Sequence, residues 1–146
     1  PIKKHQTIFV VKGTLMRAPY DLHFNRGSRW LSMGMNLWLS PLRSNPWWYI
    51  NHSCRPNAGL KGARTVVALR DIDQDEHITI DYSWTEADPH WRMRCLCGAP
   101  NCRSIIRGIH SLEPRQFQRH KAYIPKFLQS FYAQVRRNGP GADKSR

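Results

Sequence analysis

Asn51-His-Ser-Cys-Arg-Pro-Asn57, Val66-Val-Ala-Leu-Arg-Asp-Ile72, Ile78-Thr-Ile-Asp-Tyr82 and Cys95-Leu-Cys-Gly98 with Cys102 close behind form the stretch on which the reading turns. Short apolar runs broken by turn formers mark strands rather than helices. Ala58 to Lys61, Thr65 to Leu69 and His77 to Tyr82 read as strands, separated by Gly62 and by Asp71 to Asp75. Working outward, Thr7 to Val11 ending at Gly13 reads as a buried strand, and Tyr20 to Phe24 alternates with period two. Helix is expected only late. Ser111 is placed to cap a short helix near Glu113-Pro114, and Pro125 suits the first turn of a second. There Ile124, Phe127, Leu128, Phe131 and Val135 share one face, as a packing helix requires. The expected class is mainly β, with several short strands in small sheets.

The chain has four cysteines, Cys54, Cys95, Cys97 and Cys102. A Cys-x-Cys pair is poorly placed to bridge itself, and three thiols crowd into the run from 95 to 102. A tetrahedral zinc site is the better reading, because Zn²⁺ takes four thiolates and Gly98, Pro100 and Asn101 provide the turn that wraps a loop round an ion. Cys54 would complete the set. The alternatives are two disulfides or free buried thiols. A Cys₄ site has no open coordination position, so its metal holds structure.

The 146 residues suffice for one core, and 40% hydrophobic with six tryptophans is too apolar and aromatic for disorder. No apolar run approaches the ~18–20 residues that span a bilayer, so a membrane protein is not expected. The first residue is proline, which implies trimming or processing of something upstream. Twenty-three Lys and Arg against ten Asp and Glu give +13 and favour anionic partners. The charge is segregated: seven of the ten carboxylates lie between Asp71 and Asp88, a stretch with no Lys or Arg. That island is either a solvated loop or an attractor for a cationic substrate.

The four elements quoted at the outset, in that order and spacing, closely resemble the SET-domain family of protein lysine methyltransferases with its post-SET zinc loop. The resemblance covers roughly residues 48 to 108; residues 7 to 47 fit more loosely. It implies a SET domain over 1–108 with a zinc loop at 94–108; residues 109–146 carry no family signature, and their own pattern reads as a helical extension at 109–138 and a flexible tail at 139–146. It further implies S-adenosyl-L-methionine as cofactor, with Asn51 and His52 as its contacts, Tyr82 as the catalytic tyrosine, and Tyr49 as an aromatic wall of the lysine channel. Cys54 matches the family's fourth zinc ligand beside Cys95, Cys97 and Cys102. Ile80 takes a channel position where many members carry Phe or Tyr. Having no hydroxyl to hold a water beside the amine, it implies that methylation is not confined to one methyl group.

The chemistry asks for such groups. Methyl transfer is an in-line displacement, so alignment supplies much of the rate, and the lysine ammonium must lose a proton, which an apolar channel favours. The chain departs from the family in showing no Gly-x-Gly before Asn51 and in carrying Asp75-Glu76 where the family has glycine-glutamate. The missing piece would leave Thr7 to Gly13 as an open sheet edge, prone to self-association. The first expectation is methylation of lysine on a basic, histone-like protein; the rival is a catalytically weak SET-like module that binds chromatin or nucleic acid. Reduced thiolates suit an intracellular compartment, cytoplasm or nucleus, or delivery into a host cell.

Overall fold

The computed structural model describes residues 1–19 and 29–139. Ten short strands, four 3₁₀ turns and two short C-terminal α-helices make up the described elements, a mainly β architecture as expected. β1 (Thr7–Val10), β7 (Thr65–Ala68) and β6 (Ala58–Lys61) form one antiparallel sheet with β7 in the middle. The β6–β7 hairpin turns through Gly62 at φ +68, a left-handed conformation that favours glycine. β1 is an edge strand of this sheet.

A second antiparallel sheet has the order β2-β4-β3, from β2 (Gly13–Arg17), β4 (Leu37–Pro41) and β3 (Leu31–Gly34). Gly13 is required there, because a Cβ would lie 1.9 Å from the Ser40 carbonyl oxygen. The sequence reading missed this sheet. β2 exposes most of its length, so its apolar residues show no alternation. The expected strand from Tyr20 to Phe24 lies outside the described residues.

β5 (Asn51–His52) pairs in parallel with β8 (Thr79–Ile80), and β9 (Arg92–Arg94) pairs antiparallel with β10 (Ile105–Arg107). The expected strand over 77–82 is thus corrected to two residues. Asp81 ends it by capping a 3₁₀ turn, Tyr82–Trp84, where its side chain accepts from Ser83 N–H at 3.0 Å.

Val11, Leu31, Leu39, Trp47, Ile50 and Val66 belong to one buried cluster that joins the two larger sheets. A second cluster packs the C-terminal elements, α1 (Pro114–His120) and α2 (Lys126–Asn138), on Trp84 and Ala87 through Ile109, Phe117, Ile124 and Leu128. Glu113 rather than Ser111 caps α1, in a reciprocal capping box with Gln116. In α2, Tyr132 is buried beside the expected face and stacks on Phe117 with ring centroids 4.0 Å apart. Among the described residues no helix is long and apolar enough to cross a membrane.

Candidate active site and metal centre

The site is built where β5 meets β8, with Asn51 opposite Thr79 and His52 opposite Ile80. Two residues per strand cannot hold such a pairing alone, and buried Asn57 pins it. Its amide donates to the His77 carbonyl at 2.8 Å and to Glu76 Oε1 at 3.0 Å, and its Oδ1 accepts from Thr79 N–H at 2.8 Å. Glu76 is paired in turn with Arg70, whose hydrogen bond, with that of Asn57, holds the carboxyl down at about 2.

Beside this crossing opens a cleft of about 600 Å³ with Trp30, Trp38, Trp47 and Trp91 in its wall, together with Asn51, Ile80 and Tyr82. Trp47 is oriented by Nε1, which donates to the Arg29 carbonyl at 2.7 Å. The Tyr82 hydroxyl donates to the carbonyl of Ile50 at 2.8 Å. Burial pushes its phenol pKa up, with the Arg29 charge opposing, so it stays protonated at neutral pH. Ile80 is buried in the wall, and Asn51 reaches the cleft with its side-chain amide unengaged among the described residues.

Tyr49 is the correction. Its side chain is 77% exposed and lies outside the cleft lining. The 3₁₀ turn Pro46–Tyr49 buries Trp47 and leaves Tyr49 facing solvent, so the aromatic wall comes from tryptophans.

His52 lines the cleft, but its imidazole is committed to the protein. Nδ1 accepts the backbone N–H of Tyr82 at 3.2 Å, and Nε2 stands 3.3 Å from Cys54 Sγ. Burial pushes its pKa down, so it is the neutral tautomer with hydrogen on Nε2, directed at the sulfur. Asp81 lies near Nδ1 but serves Arg103, which donates to Asp81 Oδ1 at 2.6 Å and to Ser83 Oγ at 3.1 Å.

The four cysteine sulfurs lie within 4.8 Å of one another, and Cys54 to Cys95 is 3.8 Å. A tetrahedral zinc ion with Zn–S bonds of about 2.3 Å demands sulfur separations of about 3.8 Å. The donor set therefore fits such an ion. Backbone N–H groups of Arg103 and Cys54 reach the sulfurs of Cys54 and Cys97 at 3.4 and 3.5 Å, as thiolates require.

Three carboxylates of the acidic stretch are engaged by cations of the protein itself, while Asp73 and Asp75 are exposed. Asp71 is paired with Lys3, Glu76 with Arg70 and Asp81 with Arg103. Glu86 instead lines the cleft, where burial pushes its carboxyl up to about 7. Sequence reasoning missed Arg29, whose guanidinium donates to the Ile50 carbonyl at 2.7 Å and also to the Tyr82 hydroxyl. It missed the tryptophans and the Asn57 pin as well. No local pattern signals them, since each acts across the fold.

The SET domain family pattern matches residues 1–83, more than half of the chain. The chain belongs to the SET-domain family. It is 46% identical over 66 residues to the histone-lysine N-methyltransferase, H3 lysine-4 specific, of Saccharomyces cerevisiae, a match covering 40% of this chain and 6% of that protein. The proteins of the same description from Emericella nidulans and Candida albicans are 42% and 41% identical over 66 residues, covering 40% of this chain and 5% and 6% of theirs. The matched region is thus a small fraction of these curated relatives.

Proposed function

We propose that this chain is an S-adenosylmethionine-dependent protein lysine N-methyltransferase acting on a basic, histone-like tail. The observation that carries the reading is the convergence of the Tyr82 hydroxyl and the Ile50 carbonyl on one point of the aromatic cleft, 2.8 Å apart. The cleft volume falls in the ~300–1,000 Å³ range of small-molecule sites, and tryptophan faces attract a cation such as a sulfonium. When bound, S-adenosylmethionine supplies an electrophilic methyl group.

The protein's own groups do the rest. The Ile50 carbonyl and the Tyr82 oxygen accept N–H bonds from the substrate amine and aim its lone pair, which is where alignment lowers the barrier. The tryptophan wall dehydrates the amine and favours its neutral, nucleophilic form. Asn51 holds the cofactor through its free amide, and His52 contributes through its backbone, its ring being occupied by Tyr82 and Cys54. Ile80 leaves room, without a hydroxyl, for an amine already carrying a methyl. Cys54, Cys95, Cys97 and Cys102 hold a structural zinc ion, which keeps residues 95–97 in the cleft wall. Reduced thiolates favour an intracellular location, and the activity named for the relatives supports a histone substrate.

Zinc content, titration calorimetry with S-adenosylmethionine, and mass spectrometry of histone-tail peptides test the reading. One zinc per chain, cofactor binding and more than one added methyl are expected. Tyr82→Phe should keep cofactor binding and lose about 10²-fold or more in turnover. A folded, zinc-loaded protein that binds no cofactor, or unchanged turnover in Tyr82→Phe, overturns the reading, and only monomethylated product overturns the role of Ile80. Arg29 across both acceptors favours a second reading, a SET-like chromatin-binding module whose catalytic point is closed.

A further inference from the structure

Behind the active-site wall lies a second cavity of about 490 Å³, bordered by Cys54, Asp81, Trp84 and α1. Four arginines line it, Arg55, Arg103, Arg115 and Arg119. Only Arg103 is compensated, by Asp81 at 2.6 Å with Cys54 Sγ at 3.5 Å. Arg55, Arg115 and Arg119 are exposed, and their side chains have no hydrogen bond or ion pair among the described residues. Arg115 and Arg119 are four apart on one face of α1, an arrangement of like charges that disfavours the helix. Three guanidiniums converging on one concavity, against that repulsion, are matched to an external anion.

We infer that this groove binds the phosphodiester backbone of duplex DNA. Three uncompensated guanidiniums in one groove carry more charge than one carboxylate can neutralise and suit a polyanion such as a run of phosphates. The tryptophan in its wall cannot receive unstacked bases: Trp84 is 2% exposed and one face of it is covered by the half-buried ring of His120, with centroids 4.7 Å apart. Single-stranded nucleic acid is gripped by open stacking platforms, whereas a duplex is held through its phosphates. Overall charge points the same way, since a +13 chain repels a free basic tail but is drawn to one that lies on DNA. Both cavities border the cysteine cluster, the cleft at Cys95 and Cys97 and the groove at Cys54, so one ligand can be held beside the other.

The test measures binding of a labelled 20-base-pair duplex by fluorescence anisotropy from 50 to 200 mM salt. It compares the zinc-loaded protein with the triple variant Arg55→Gln, Arg115→Gln, Arg119→Gln and with a charge-matched control, Lys12→Gln, Lys61→Gln, Arg64→Gln, at exposed positions outside the groove. Melting temperature and zinc content verify that both variants fold. The groove variant should lose at least tenfold in affinity at 100 mM salt, and its slope of log K against log salt should flatten by about 2–3, at about 0.9 for each phosphate no longer neutralised. The control should change both far less. Equal losses in the two variants, or no duplex binding at 50 mM salt, overturn the inference. So does tighter binding of a single-stranded oligonucleotide, or displacement of the duplex by a poly-glutamate peptide at equal charge concentration, which would assign the groove to RNA or to an acidic protein. None of these readings depends on methyl transfer, so the inference and the enzymatic reading fail separately.

Discussion

The imidazole of His52 accepts the backbone N–H of Tyr82 at 3.2 Å, and the opposite nitrogen of the same ring faces Cys54 Sγ at 3.3 Å. One side chain therefore ties the cysteine cluster to the residue at the floor of the cleft. Partners of this kind set the orientation of what they touch, and their loss typically costs about 10–100-fold in metal affinity or activity. His52→Phe keeps an aromatic ring but removes both interactions. Turnover should fall by about 10-fold or more and zinc should be lost more readily to a competing chelator. Zinc retention and turnover both equal to the parent would show that the ring is only a spacer.

Arg29 donates to the same two oxygens, on Ile50 and Tyr82, that a substrate amine needs. An incoming amine has to displace the guanidinium. Arg29→Ala leaves the backbone carbonyl that orients Trp47 untouched, so the tryptophan wall should stand. The KM for a histone-tail peptide should fall severalfold with kcat unchanged, since only access to the acceptors differs. A rise in KM would assign Arg29 to holding substrate instead.

Asn57 is 1% exposed and serves His77, Glu76 and Thr79 at once. Replacing it by leucine removes these bonds and leaves the Thr79 N–H and the His77 carbonyl without their partner. Unmade buried hydrogen bonds cost about 1–3 kcal/mol each. Asn57→Leu should lower stability by about 2–4 kcal/mol in denaturant titration, and cofactor binding should weaken because β5 and β8 lose their pin. A loss below about 1 kcal/mol would mean that water replaces the amide.

How far the sequence can be read follows from where each signal lives. The β6–β7 hairpin is legible because two short, continuously buried runs, the second rich in β-branched residues, flank a turn glycine in the chain. The cysteine cluster is legible because three of its members fall between 95 and 102. The β2-β4-β3 sheet is not, since β2 is mostly exposed and carries no apolar period. Tyr82 reads as a strand residue because its neighbours are β-formers, whereas the Asp81 cap turns the chain just before it. Arg29 meets Tyr82 across 53 residues, and composition holds no trace of that pairing. Tyr49 misleads for a related reason: in a 3₁₀ turn adjacent aromatic residues point in different directions, and Trp47 takes the inward one.

Glu86 gives the cleft a pH dependence whose sign is fixed by burial. Its carboxyl is pushed up to about 7, mainly by desolvation, while the Asp88 N–H at 2.7 Å holds it down against the Asp88 charge. In the unfolded chain a glutamate titrates near 4.3. Between the two values the folded protein binds the proton more tightly, so stability is highest at and below about 4.3 and declines as pH rises to about 7, after which this contribution is constant. The full difference corresponds to about 4 kcal/mol, and partial exposure of the side chain reduces the expectation to about 2 kcal/mol. Glu86→Gln keeps the side-chain oxygen that accepts from Asp88 and never ionises. It should match the parent near pH 4.5 and exceed it by about 2 kcal/mol at pH 8, in urea titrations with zinc present. Comparing the two proteins cancels protonation of the cysteine cluster, which is common to both. Stability profiles that run parallel from pH 4.5 to 8 would mean that Glu86 is ionised in the folded state and already solvated within the cleft.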